Sequence, residues 1–153
     1  MPSPTRRARA LKEPPLPADA DPSRNPANAV PTDKHDLLGA EIIVASGYPA
    51  VHAQLPALLV WMQDINWPVA RVLAPFLASI GAPLADHVRT ILASDDPIWT
   101  YNVLAYLVSA SAPLAVAVEP QLTRLAAQPS QAERDEGVDE LAGQILATLH
   151  ARR

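Results

Sequence analysis

Apolar residues recur along most of this chain at the three- and four-residue spacing of a helix face, and prolines, glycines and short acidic turns cut that pattern into segments. A Thr32 or Asp33 cap ahead of Leu37, Leu38, Ile42 and Val44 predicts a first helix, ended by Gly47. Pro49 opens a second, carrying Val51, Leu55, Leu58, Leu59 and Met62, with Pro56 inside it. The tight connection Asp64-Ile65-Asn66-Trp67-Pro68, with Asn66 or Trp67 as cap, leads into the clearest stripe of the chain: Val69, Val72, Leu73, Phe76, Leu77 and Ile80, stopped by Gly81. Pro75 interrupts this third helix and predicts a kink. Phe76, central in the stripe, is expected in the core, where Phe76→Ala would cost about 3–5 kcal/mol.

Ala82-Pro83-Leu84 opens a fourth helix with Val88, Ile91 and Leu92. Asp96 caps a fifth, with Pro97 in its first turn and Leu104, Leu107 and Val108 inside. Pro113 starts a sixth that Pro120 breaks, although Leu114, Val118, Leu122 and Leu125 share one face. Ser130-Gln131-Ala132-Glu133 is a capping box before Val138, Leu141, Ile145, Leu146 and Leu149, a seventh helix. Ala-Pro-Leu-Ala occurs at 82–85 and again at 112–115, and the acidic turns Asp64 to Trp67 and Asp95 to Trp99 lie about 31 residues apart. The pattern therefore predicts an all-α fold of about seven helices, arranged as a short right-handed HEAT-like repeat; an irregular helical bundle is the alternative.

Residues 1–31 break the periodicity. Eight of the seventeen prolines fall in the first 32 residues among few bulky apolar groups, too little surface to offset the ordering entropy. A disordered Pro/Ala/Arg-rich arm over 1–31, removable to about Val30 without loss of fold, and a single domain over 32–153 are expected. Residues 1–32 carry five basic and three acidic side chains, whereas 33–153 carry seven and thirteen. The folded part is thus acidic, and Arg71, Arg89 and Arg124 alone do not build the basic face that nucleic-acid binding needs.

With no cysteine, disulfides, thiolate nucleophiles and Cys-based metal sites are excluded, in keeping with a cytoplasmic protein. The segment after Arg6, Arg7 and Arg9 lacks the apolar stretch of a secretory signal, and no run approaches the 18 or so apolar residues of a membrane span.

Four strings, Pro31-Thr32-Asp33-Lys34-His35-Asp36, Gly47-Tyr48-Pro49-Ala50-Val51, Trp61 through Ala70 and Asp95-Asp96-Pro97-Ile98-Trp99, resemble the bacterial family catalogued as domain of unknown function 5071. The resemblance covers about residues 31–150 and is most distinctive in Asp-x-Asn-Trp-Pro-Val-Ala. It implies a compact, HEAT-like helical domain without an assigned activity, in which Asp33, Lys34 and Asp36 are motif residues of unknown role.

Little in the chain points to catalysis. His35 stands beside Asp33 and Asp36 at a helix start, where carboxylates are also favoured by the dipole, and His52, His87 and His150 lack metal-ligand spacing. Asp64, Asp95 and Asp96 occupy capping positions, and no Gly-rich phosphate loop or nucleophile elbow is present. No metal, no cofactor and no enzymatic activity are expected. Trp67 and Trp99 suit either the closing of a core end or contact with a partner. Stacked hairpins would bring Asp64, Asn66, Trp67, Asp95, Asp96 and Trp99 into one acidic-aromatic patch for a protein partner, as in an adaptor or an immunity-type protein. A HEAT-like enzyme or binder acting on nucleic acid is the alternative.

Overall fold

The computed structural model describes residues 25–153, so the expectation for residues 1–24 of the arm lies outside it. Among the described residues the chain is all α, with no strand. Order begins before Thr32, however. Asn25 caps a single turn, α1 (Pro26–Ala29), accepting from the Asn28 amide at 3.3 Å. Ala29 and Pro31 are buried. The turn fits because position 39 is glycine: a Cβ there would stand 2.5 Å from the Ala29 carbonyl oxygen. The domain therefore starts inside the stretch assigned to the arm, and deletion through Val30 would remove packed structure.

Helix α2 (Leu37–Ser46) starts one turn later than the Thr32 or Asp33 cap implied. Asp36 is its N-cap, accepting from the Gly39 amide at 3.1 Å and the Thr32 amide at 3.2 Å, while Asp33 is spent on the His35 amide at 2.8 Å. The second predicted helix is a composite of a 3₁₀ turn (His52–Gln54), α3 (Leu55–Val60) and a second 3₁₀ turn (Trp61–Gln63). Pro56 consequently lies in the first turn of α3, where its missing N–H costs nothing, and interrupts no helix interior. Pro49 precedes the composite, after a cis Tyr48–Pro49 peptide bond.

Helix α4 (Pro68–Ile80) runs to Gly81 with Pro75 inside it. Its buried line is Val69, Leu73 and Leu77, with Ala70 and Ala74 beside it. Phe76 is only half-buried and packs on the margin of the core, so the centre of the stripe lies at Leu73 and Leu77 instead. A 3₁₀ turn (Ala82–Leu84) leads to α5 (Ala85–Leu92), and α6 (Pro97–Val103) continues through a π-helical turn (Leu104–Val108). Pro113 and Pro120 each sit in the first turn of a helix, α7 (Ala112–Ala117) and α8 (Glu119–Ala127), which is the break expected at Pro120.

The last segment is divided. Ser130 and Glu133 form the capping box of a short α9 (Gln131–Asp135), and Gly137, at φ 78°, turns the chain into α10 (Val138–Ala151). That left-handed conformation is open to glycine at little steric cost. The pairing of α8 with α10 is the most extensive helix contact, α2 lies on α4, and α4 lies on the π turn. One apolar cluster runs from Ala29 to Leu149 through all of them. No single helix among the described residues is long and apolar enough to cross a membrane.

Candidate functional site

The motif residues first find their roles in the backbone. The N–H groups in the first turn of α4 have no partner within the helix, and that of Val69 donates to the Lys34 carbonyl at 3.1 Å. The turn that presents this carbonyl is shaped by Asp33 and Asp36 through the bonds given above, which locks the Asp33–Asp36 segment to the start of α4. The Lys34 side chain is exposed. Asp64 accepts from the Asn66 amide at 2.8 Å, and the Asn66 side-chain carbonyl accepts from Arg71 at 3.3 Å. Trp67 is the N-cap residue of α4 without a capping side-chain bond; its ring lies edge-on to Trp61 at 5.5 Å and 75°.

The second acidic turn closes the other side of the same segment. Asp96 accepts from the Trp99 amide at 3.0 Å and so starts α6. The Trp99 indole N–H donates to the Leu59 carbonyl at 2.9 Å, and the Asn102 amide donates to the carbonyls of Met62 at 3.0 Å and Gln63 at 3.3 Å. These carbonyls lie at the end of α3 and in its 3₁₀ extension, and that of Leu59 also accepts from the Trp61 amide. Asn102 is 7% exposed and Thr100, which donates to the Ile91 carbonyl at 3.2 Å, is fully buried. Sequence reasoning missed both residues. Their signal is two polar residues on the inward face of Trp99-Thr100-Tyr101-Asn102-Val103.

Both tryptophans thus anchor on residues 59–61, while the two turns border different grooves. No hydrogen bond or ring contact joins them among the described residues, and Trp99 packs against the core. Asp95 is exposed at the edge of a cleft of about 420 Å³ bounded by Arg124 and Glu133. Those two are paired bidentately at 2.8 and 3.1 Å, and Arg124 also donates to the Leu92 carbonyl at 3.3 Å. Burial works to raise the Glu133 pKa, but the bonds from Arg124 and from the Ser130 amide outweigh it and hold the carboxyl below its ordinary range. The pair is internal reinforcement.

The groove at the first turn, about 460 Å³, is different in kind. Ala74, Pro75, Ala78, Ala110 and Tyr106 line it with mostly apolar surface, and Asn66 and Arg71 supply polar groups. Tyr106 is 44% exposed and sits in the π-helical turn, a feature frequent at functional sites. Pro75, expected only as a source of a kink, is exposed here and lines the groove. Tyr106 carried no signal in the helical pattern, since one aromatic on an outer face is unremarkable there.

The histidines stay apart. His35 and His52 are exposed, His87 is half-buried, and His150 meets Glu119 at 3.0 Å. No group of three or more His, Asp or Glu side chains among the described residues could hold a metal ion.

An all-α domain with motif-built turns at Asp33–Asp36, Asp64–Trp67 and Asp95–Trp99 is what the geometry defines. Over residues 29–146 the chain matches the family described as domain of unknown function (DUF5071), and it belongs to that family. The match begins at Ala29, the first buried residue of α1, and spans all three turns. No curated protein matches the chain.

Proposed function

We propose that this protein is a protein-interaction module, of adaptor or immunity type, that receives a segment of a partner protein in the groove between α4 and the π turn. The observation that carries the reading is the exposed Tyr106 lining one groove with alanines, Pro75, Arg71 and Asn66. Such a surface seats one apolar side chain against an aromatic wall and fixes its orientation through a hydrogen-bond acceptor on the partner, directed at Arg71. A HEAT-like repeat belongs to the same proposal. It is supported by the packing of Ala82–Leu84 against α7, which places the two Ala-Pro-Leu-Ala strings side by side, and by the packing of α4 against the π turn that extends α6. Affinity purification of the tagged full chain from its native cell tests the reading. A stoichiometric protein partner supports it, whereas recovery of nucleic acid alone favours the competing class of HEAT-like nucleic-acid binders or enzymes.

A further inference from the structure

Among the residues that line the groove at the first acidic turn, Arg71 is the one charged side chain. It is held in place. Asp64 shapes the turn by accepting from the Asn66 amide, and the Asn66 side-chain carbonyl accepts one of the five guanidinium N–H groups at 3.3 Å. The most distinctive string of the chain thus serves to fix one arginine at the groove, and among the described residues no carboxylate meets that arginine. Arg89, Arg124 and Arg153, by contrast, are paired with Asp86, Glu133 and Glu119. Arg134 and Arg152 also lack a carboxylate, but they stand at the C-terminal ends of α9 and α10, where the helix dipole is negative. Arg71 is the fourth residue of α4, a helix with no acid in its first turn, so the dipole there adds to its charge instead of offsetting it.

We propose that the partner segment received here carries one carboxylate side chain, bound by Arg71, with a bulky apolar side chain two or four residues from it seated over Ala74, Pro75 and Ala78. The proposal rests on the groove reading above and adds the chemistry of the occupant. A carboxylate matches a single guanidinium in charge and in the geometry of its paired donors. A run of phosphates does not match, because residues 33–153 carry thirteen acidic against seven basic side chains and offer no further unpaired cation in this groove. The same surplus opposes a run of acidic side chains and selects one carboxylate among apolar neighbours. Along α4, Pro75 lies about 6 Å and Ala78 about 10 Å beyond Arg71, and side chains on one face of an extended segment recur about every 6.6–6.8 Å, which gives the spacing of two or four residues.

Selection of random peptides, displayed without a free carboxy-terminus, on the immobilised full-length protein tests this. Enriched peptides should share an Asp or Glu two or four residues from a bulky apolar residue. Synthetic copies with both ends capped should bind about tenfold more weakly once that acid is replaced by its amide, and Arg71→Glu in the protein should weaken the parent peptide at least as much. Replacing the peptide's acid by lysine should then restore most of the affinity for Arg71→Glu. Arg71→Gln, which removes the charge without reversing it, should lower affinity in the same direction and guards against a disturbed fold. Peptides lost with Tyr106→Ala but indifferent to Arg71→Glu and Arg71→Gln would overturn the carboxylate and leave the groove reading standing. Peptides indifferent to all three substitutions, or no enrichment at all, would overturn both. Arg71-dependent capture of a random single-stranded oligonucleotide in place of peptides would assign the arginine to phosphate and overturn the proposal as well.

Discussion

The indole N–H of Trp99 donates to the backbone carbonyl of Leu59 at 2.9 Å, forty residues away, and three residues on Asn102 does the same for Met62. The end of one helical segment is thereby capped by side chains of another. Trp99→Phe keeps most of the packing and removes only the indole donor, leaving the Leu59 carbonyl with the Trp61 amide alone. It should lower stability by about 0.5–1.5 kcal/mol in chemical denaturation. An unchanged midpoint would mean that water replaces the indole.

Leu73 and Phe76 separate the two accounts of α4. Leu73 is fully buried, so Leu73→Ala should cost about 2–5 kcal/mol and leave a marginal domain largely unfolded. Phe76→Ala removes a half-buried ring and should cost clearly less than Leu73→Ala. A reversed order in thermal melts would restore Phe76 to the centre of the core.

Two glycines give opposite expectations. Gly39→Ala drives a Cβ against the Ala29 carbonyl and should destabilise by about 1–3 kcal/mol, with α1 released first in hydrogen exchange. Gly143, inside α10, has nothing within 4 Å of the added carbon, and Gly143→Ala should stabilise by about 0.5–1 kcal/mol.

Glu119 joins the start of α8 to the C-terminal end of α10, paired with Arg153 at 2.6 Å and His150 at 3.0 Å. The hydrogen bond from Arg153, then that from His150, holds its pKa down to about 2, well below the ordinary carboxylate range. A depressed carboxyl pKa stabilises the fold fully above the unfolded value and loses that contribution as pH falls through the folded one. The stability difference between the wild type and Glu119→Gln should therefore be largest above pH 4.5 and shrink toward pH 2. A difference independent of pH would show the ion pair to be idle.

Helix class and most helix starts were legible because proline, Asp96 and the Ser130 box act locally; these elements form where the spacing places them. What escaped the sequence depends on long-range partners. The start of α2 moved because Asp33 was drawn into its own turn, and α1 was hidden because its order rests on a close approach to Gly39. At the candidate site, Asp96 as the cap of α6 and Trp67 as the N-cap position of α4 were legible, but the partners of Asp64, Asn66 and Trp99 were not: these side chains bind backbone or a neighbouring side chain and build the turns. Tyr106 and the groove could not be read, because an exposed aromatic gains meaning only from what the fold sets opposite it.

The claim that this domain binds a partner protein through the α4–π-turn groove is tested most directly by the affinity of the recovered partner for the wild type, Tyr106→Ala, Arg71→Ala and Asp95→Lys, measured by calorimetry on folded proteins. The account predicts at least a tenfold loss for Tyr106→Ala, a smaller loss for Arg71→Ala and no change in fold for any of them, as expected for an aromatic anchor beside a polar contact. Asp95, exposed on the other cleft, should leave this affinity unaltered. Undiminished binding by both Tyr106→Ala and Arg71→Ala, or a loss confined to Asp95→Lys, would contradict it.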